Sequence, residues 1–282
     1  MKRVFLSACL IFGMSLSTFA QELPQPSPSA TVMQRVGLTD VTINFSRPGV
    51  KDRVIFGELV PYDQLWRTGA NKATAVTFST DVMIDGKTLP AGTYSLFTIP
   101  GKDNWTLIFN KETELWGTNG YDEAKDALRV DAKPMTSANK VQNMMIEVDN
   151  VSSEGAHLIF AWDNVRVAVP FTVNTAAVAE SNIQKAIAED GENARVYRNA
   201  ANYYFNNGMN DKALAMMEKS IKIDDSNWYS NWLYAEILHS VGMDKDAKKA
   251  AKNAIKVGEK ASEESGNPFP YKSMIETEMA KW

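Results

Sequence analysis

Cysteine is almost missing from this sequence: Cys9 is the one cysteine in 282 residues. A disulfide framework is thereby excluded, and the fold must be held by its core. Histidine is nearly as scarce. His157 and His239 are the two present, which leaves few components for a catalytic triad or a histidine-rich metal site. There is no zinc-type ligand spacing, calcium-loop pattern, phosphate-binding glycine loop or nucleophile elbow. No catalytic residue, metal or cofactor is nominated.

Long apolar runs are also in short supply. Beyond the N-terminus no segment approaches the roughly 18 apolar residues of a transmembrane helix. At the N-terminus, Lys2 and Arg3, the apolar stretch 4–16 and Thr18-Phe19-Ala20 read as a secretory signal peptide of residues 1–20, cleaved after Ala20. The expected location is secreted, periplasmic or outer-envelope facing. Leu6-Ser7-Ala8-Cys9 superficially matches a lipoprotein box. It leaves almost no apolar stretch before Cys9, so a lipoprotein is not expected. Excess positive charge is lacking too. Without Lys2 and Arg3 the chain has 28 basic against 34 acidic residues, a net charge of −6. Nucleic acid is not the expected partner.

What is present divides into two textures. Residues 21–29 alternate prolines with polar residues and read as an extended, solvated linker. Residues 30–173 carry short runs of period two, such as Val41, Ile43 and Phe45. Thr74, Val76, Phe78, Thr80, Val82 and Ile84 keep one parity until Asp85-Gly86, a hairpin turn. Asp163-Asn164 reads as another turn, and Val165, Val167, Val169, Phe171 and Val173 form a clear inward face. Pro170, on the opposite parity, suggests an edge or a bulge. About nine such strands predict an antiparallel β-sandwich. The loop acids Asp122, Glu123 and Asp126 read as solvated, and His157 as a partly buried structural residue.

From residue 174 the period changes to 3.6. Six helices are predicted, at 176–189, 194–206, 211–223, 228–240, 244–261 and 271–281. Ala201 and Ala235, Gly208 and Gly242, Ala213 and Ala247, and Ile221 and Ile255 recur at an offset of 34 residues, the tetratricopeptide period. Residues 194–227 and 228–258 are thus two expected repeats of an all-α, tetratricopeptide-like domain at 174–282. Their first helices would present Arg198, Asn202, Phe205, Trp232, Glu236 and His239 to a protein or peptide. Lys245, Lys248, Lys249, Lys252, Lys256 and Lys260 form a basic stripe. It reads either as a solvated face or as a contact for anionic lipid headgroups or an acidic partner.

The densest stretch lies at 47–74, RPGVKDRVIFGELVPYDQLWRTGANKAT. Prolines and glycines prevent one long helix, and so long a loop is functional or a structured cap. Arg47, Arg53, Arg67 and Asn71, with Trp66 as an apolar wall, form a candidate pocket for a small anionic ligand or glycan. The competing reading is that these groups pair with Asp52, Glu58 and Asp63 and merely knit the loop to the sheet. This stretch, followed by LPAGTYSLFTIPG, NWTLIFNK, WG and LRVDAKP, resembles the bacterial domain of unknown function family 2911 over residues 27–173. The resemblance implies a secreted β-rich domain often followed by helical repeats. It carries over no catalytic residue. The expected function is a non-enzymatic envelope binding or scaffolding module with a helical interaction tail. The alternative is a carbohydrate- or peptidoglycan-directed hydrolase using a carboxylate pair, with Trp66, Trp105 or Trp116 stacking on sugar.

Overall fold

The structure is a computed structural model that describes residues 23–282. The expected signal peptide lies outside the described residues. The chain forms two compact units, split after Val173.

The first unit holds two antiparallel sheets. One has six strands in the order β1 (Ser29–Val36), β2 (Thr39–Ser46), β3 (Thr74–Phe78), β6 (Gly92–Pro100), β7 (Trp105–Asn110) and β8 (Asp126–Ala132). The other runs β5 (Lys87–Leu89), β4 (Val82–Ile84), β10 (Gly155–Val173) and β9 (Met135–Asp149). Period-two residues do what their spacing predicts: Val41, Ile43 and Phe45 are buried, and so are Val167, Val169, Phe171 and Val173. One buried cluster draws on both sheets.

The described residues hold ten strands where about nine are expected, and two runs behave differently from their reading. The run 74–84 is two strands, because β3 pairs in the six-stranded sheet and β4 in the other. Inward parity survives the crossing, which is why the run looks continuous in sequence. The chain changes sheets at Ser79-Thr80-Asp81, where polar side chains serve the corner: the Ala91 amide donates to Asp81 Oδ1 at 2.8 Å. Conversely, Asp163 does not end a strand. It takes φ 53° and sits at a register shift against β9, so β10 bends there and continues. Pro170 falls between the stretch paired to β9 and the stretch paired to β4, where no ladder amide is needed. Asp85 and Gly86 take φ 51° and 69°, as a two-residue hairpin turn requires.

The second unit holds α1 (Thr175–Glu189), α2 (Ala194–Asn206), α3 (Asn210–Ile223), α4 (Trp228–Ser240), α5 (Asp244–Ser265) and α6 (Lys272–Met279). Asn174, Asn193 and Asn227 each accept a backbone N–H at a helix start. Gly208 and Gly242 follow α2 and α4 in the left-handed region, where glycine costs least. Ala201, Ala235, Ala213 and Ala247 are all fully buried, so the positions 34 apart do the same packing work.

Gly258 of α5 shows a conflict between propensity and packing. Alanine favours a helix by about 1 kcal/mol over glycine. A Cβ at Gly258 would overlap the Phe269 ring, which itself packs on Trp228 and Tyr271. Overpacking costs about 1–3 kcal/mol, so Gly258→Ala is expected to lower the helical melting temperature. Circular dichroism melts of the full chain check the sign.

Candidate functional site

The loop 47–73 is stitched to both sheets of the first unit. Val50 N–H donates to Gln142 O at 2.8 Å and Met144 N–H to Pro48 O at 3.0 Å, tying its start to β9. Trp66 and Thr98 exchange backbone bonds of 2.7 and 2.8 Å, tying its later part to β6. Phe56 enters an aromatic cluster with Trp66, Trp105, Phe160 and Trp162, at ring distances of 5.2 to 6.4 Å.

The backbone is strained where the site is built. Lys51, Asp52, Asp63, Thr68 and Asn71 all have positive φ. Thr68 matters most, because a β-branched residue at φ 53° is a real outlier. It is fully buried, and its carbonyl accepts Thr74 Oγ1 at 2.7 Å. Such strain persists only where surroundings over-determine it, and it clusters at functional sites. Arg67 stands between the Trp66 bridge and this Thr68, so its backbone has little freedom.

Beside it lies a cavity of about 420 Å³. Lys51, Arg53, Arg67 and Asn71 line it with Trp66, Trp162, Pro26, Ser27, Pro48, Leu59 and Val60, and among the described residues no Asp or Glu lines it. Four of the five nominated loop residues therefore meet at one place. Arg47 is the exception: its Nε donates to Met144 O at 2.9 Å.

The pairing with Asp52, Glu58 and Asp63 that the competing reading requires does not occur. All three acids are exposed and none forms an ion pair with the loop arginines. Backbone carbonyls take that role, because a loop outside the ladders leaves acceptors open nearby. Arg53 donates to Val50 O and Gly49 O. Asn71 donates to Ser27 O and Ser46 Oγ, both at 3.3 Å. Ser27 and Pro26 thus belong to the site, although residues 21–29 read as a solvated linker.

Arg67 differs from Arg47 and Arg53. Its Nε is buried and has no hydrogen-bond partner among the described residues, and burial pushes its pKa down. Trp162, on β10, is the second such case: its Nε1 is buried without a partner, and it lines the same cavity. By contrast, Trp66 Nε1 donates to Gly69 O at 3.1 Å. Sequence reading missed Trp162 as a site residue, because it sits in a strand with core periodicity.

The other candidates separate. Trp105 and Trp66 are buried, whereas Trp116 is 67% exposed beside the Lys72–Glu114 ion pair. Neither the loop cavity nor the cleft lined by Lys72 and Glu114 has two carboxylates in its lining. Asp126 is not solvated as expected: Arg129, Tyr121 and Asn110 all donate to it, and Tyr121 is pushed up to about 12, by burial first. His157 Nε2 lies 3.4 Å from Asn150 Nδ2. Among the described residues no group of three or more His, Cys, Asp or Glu could hold a metal. No helix among them is long and apolar enough to cross a membrane.

In the helical unit the nominated face is partly covered. Trp282 stacks on Trp232 at 5.6 Å and on His239 at 4.8 Å. His239 Nδ1 also lies 2.7 Å from Asp244 Oδ1. On α2, Arg198 faces the Tyr229 ring at 5.8 Å, Phe205 is partly buried against the core between helices, and Asn202 accepts from Asn206. Lys249, Lys252 and Lys256 of the basic stripe line a separate groove with Asn231, Tyr234 and Asn253.

Glu236 is half-buried on α4, and its carboxyl is held above the usual range by burial first and by Glu278 second. Folding therefore favours the neutral acid. That stabilisation is complete below the ordinary value of 4.5 and is lost as pH rises through the raised one. Glu236→Gln is expected to melt higher than wild type at about pH 7.5 and to show no advantage at about pH 4. Equal melts at the higher pH would remove the electrostatic cost from Glu236.

Together these features define a β-rich unit with a cavity lined by Lys51, Arg53 and Arg67 at a strained loop, joined to a helical unit. The chain belongs to the family described as a protein of unknown function (DUF2911), whose model matches residues 27–171. No curated protein matches the chain significantly.

Proposed function

We propose that this is a secreted, non-enzymatic binding or scaffolding module of the bacterial cell envelope. In this reading the two sheets are the layers of a β-sandwich that presents the loop cavity. Helices α2 to α5 are two tetratricopeptide-like repeats that carry a protein- or peptide-binding surface. Arg198, Asn202, Phe205, Trp232, Glu236 and His239 belong to that surface, and a partner reaching α4 displaces Trp282.

The cavity takes a small anion. One observation carries this: among the described residues, Arg67 has a buried Nε without a partner and lines a cavity that no carboxylate lines. A buried donor without an acceptor costs about 1–3 kcal/mol, and a ligand that supplies the acceptor recovers it. Thermal melts in chloride, phosphate, sulfate, acetate and benzoate at equal ionic strength test the reading. At least one anion raises the wild-type melting temperature above the chloride value, and Arg67→Met loses that rise. Identical anion responses in the two proteins would refute anion binding at this cavity.

A further inference from the structure

We infer that the ligand of the loop cavity is an organic carboxylate carried on a flat apolar body, an inference that rests on the anion-binding reading above. Several polar side chains of the cavity are already engaged within the protein. Arg53 spends its Nε and one terminal nitrogen on the carbonyls of Val50 and Gly49. Asn71 spends its amide on Ser27 and Ser46. Trp66 spends its indole N–H on Gly69. Two side chains lining the cavity carry a buried nitrogen without a partner among the described residues, Arg67 at Nε and Trp162 at Nε1; the more exposed Lys51 ammonium and Ser27 hydroxyl are uncommitted as well.

Few directional donors suit a group with few acceptors. A carboxylate offers two oxygens in one plane and one charge, and the planar guanidinium fork matches that geometry. A phosphate brings more oxygens and more charge than the two buried donors satisfy, and leaves the rest to the more exposed Lys51 and Ser27 at the same cavity. The rest of the lining is apolar in character: Trp66, Trp162, Leu59, Val60, Pro26 and Pro48. The volume agrees. A water occupies about 30 Å³ of liquid, so a bare ion leaves most of the 420 Å³ unfilled. An aromatic or cyclic acid fills it, placing its ring against the tryptophans and its carboxylate at Arg67 and Trp162. Lys51, exposed at the rim, adds charge without fixed geometry.

Calorimetric titration of the full chain with benzoate, its neutral analogue benzamide and inorganic phosphate tests the class of ligand. Benzoate is expected to bind, with benzamide about tenfold weaker or worse and phosphate weaker still. Arg67→Gln, which keeps the length of the side chain but not its charge, is expected to weaken benzoate about tenfold or more. Trp162→Phe removes the indole N–H and keeps a ring in place, and its benzoate affinity is expected to fall while its benzamide affinity changes less. Phosphate binding more tightly than benzoate overturns the carboxylate inference and leaves the anion reading standing. Benzamide binding as well as benzoate, or no binding by any of the three, overturns both. Unchanged benzoate affinity in a folded Arg67→Gln moves the site elsewhere and overturns the inference.

Discussion

Arg67→Met is expected to melt higher than wild type while losing anion binding altogether. Most substitutions in a structured loop destabilise, so the direction is the informative part. Among the described residues Arg67 has a buried Nε without a partner, and no carboxylate offsets its charge. Methionine keeps much of the apolar stem and removes the desolvated group, much as apolar replacements of buried charges often stabilise. Part of the side chain is solvated, so the gain is about 1 kcal/mol, or about 2–4 °C for a unit of this size. A gain in stability that comes with a loss of anion binding is the trade-off expected of a binding residue. A fall of many degrees would instead show Arg67 to be a strut for the loop. Thermal melts paired with benzoate titration measure both effects on one sample.

Trp105→Ala is expected to have the largest effect on stability, a loss of about 3–5 kcal/mol. Trp105 is 1% exposed on β7 and touches Phe56 of the loop, Trp66 and Phe160 of β10. Its removal leaves a cavity where the loop meets both sheets, and aromatic pairs add to the area lost. The melting temperature of the β-rich unit is expected to drop by about 10 °C or more. The helical unit has its own buried clusters, so its melt is expected to stay in place. A substitution that lowered both melts equally would contradict the division into two units.

The helical half was legible because its signals are local. Alanines and glycines 34 residues apart need no knowledge of a partner strand, and Ala201, Ala235, Gly208 and Gly242 all serve as their spacing implies. The sheets were legible in parity but not in pairing. Phe78 and Val82 both point inward, yet they belong to different sheets, and parity alone carries no record of which neighbour a strand takes. At the site, the charged loop announced Arg53, Arg67 and Asn71 by their density. Which of them would be consumed by backbone carbonyls depends on where Gly49, Val50 and Ser27 end up, and only the fold decides that. Trp162 gave no sign, because an unpaired indole N–H is a property of the surrounding space and not of the residue.

The most direct measurement of the central claim is the indole N–H resonances of the full chain, followed by NMR as benzoate is added. Trp66 already donates to Gly69, whereas Trp162 lines the cavity without an acceptor. The Trp162 indole signal is expected to move downfield and saturate, with Trp66 moving less and the exposed Trp116 not at all. No such shift is expected in Arg67→Gln. A Trp162 signal that stays still while benzoate binds, or that moves equally in Arg67→Gln, would contradict a ligand site built on these two donors.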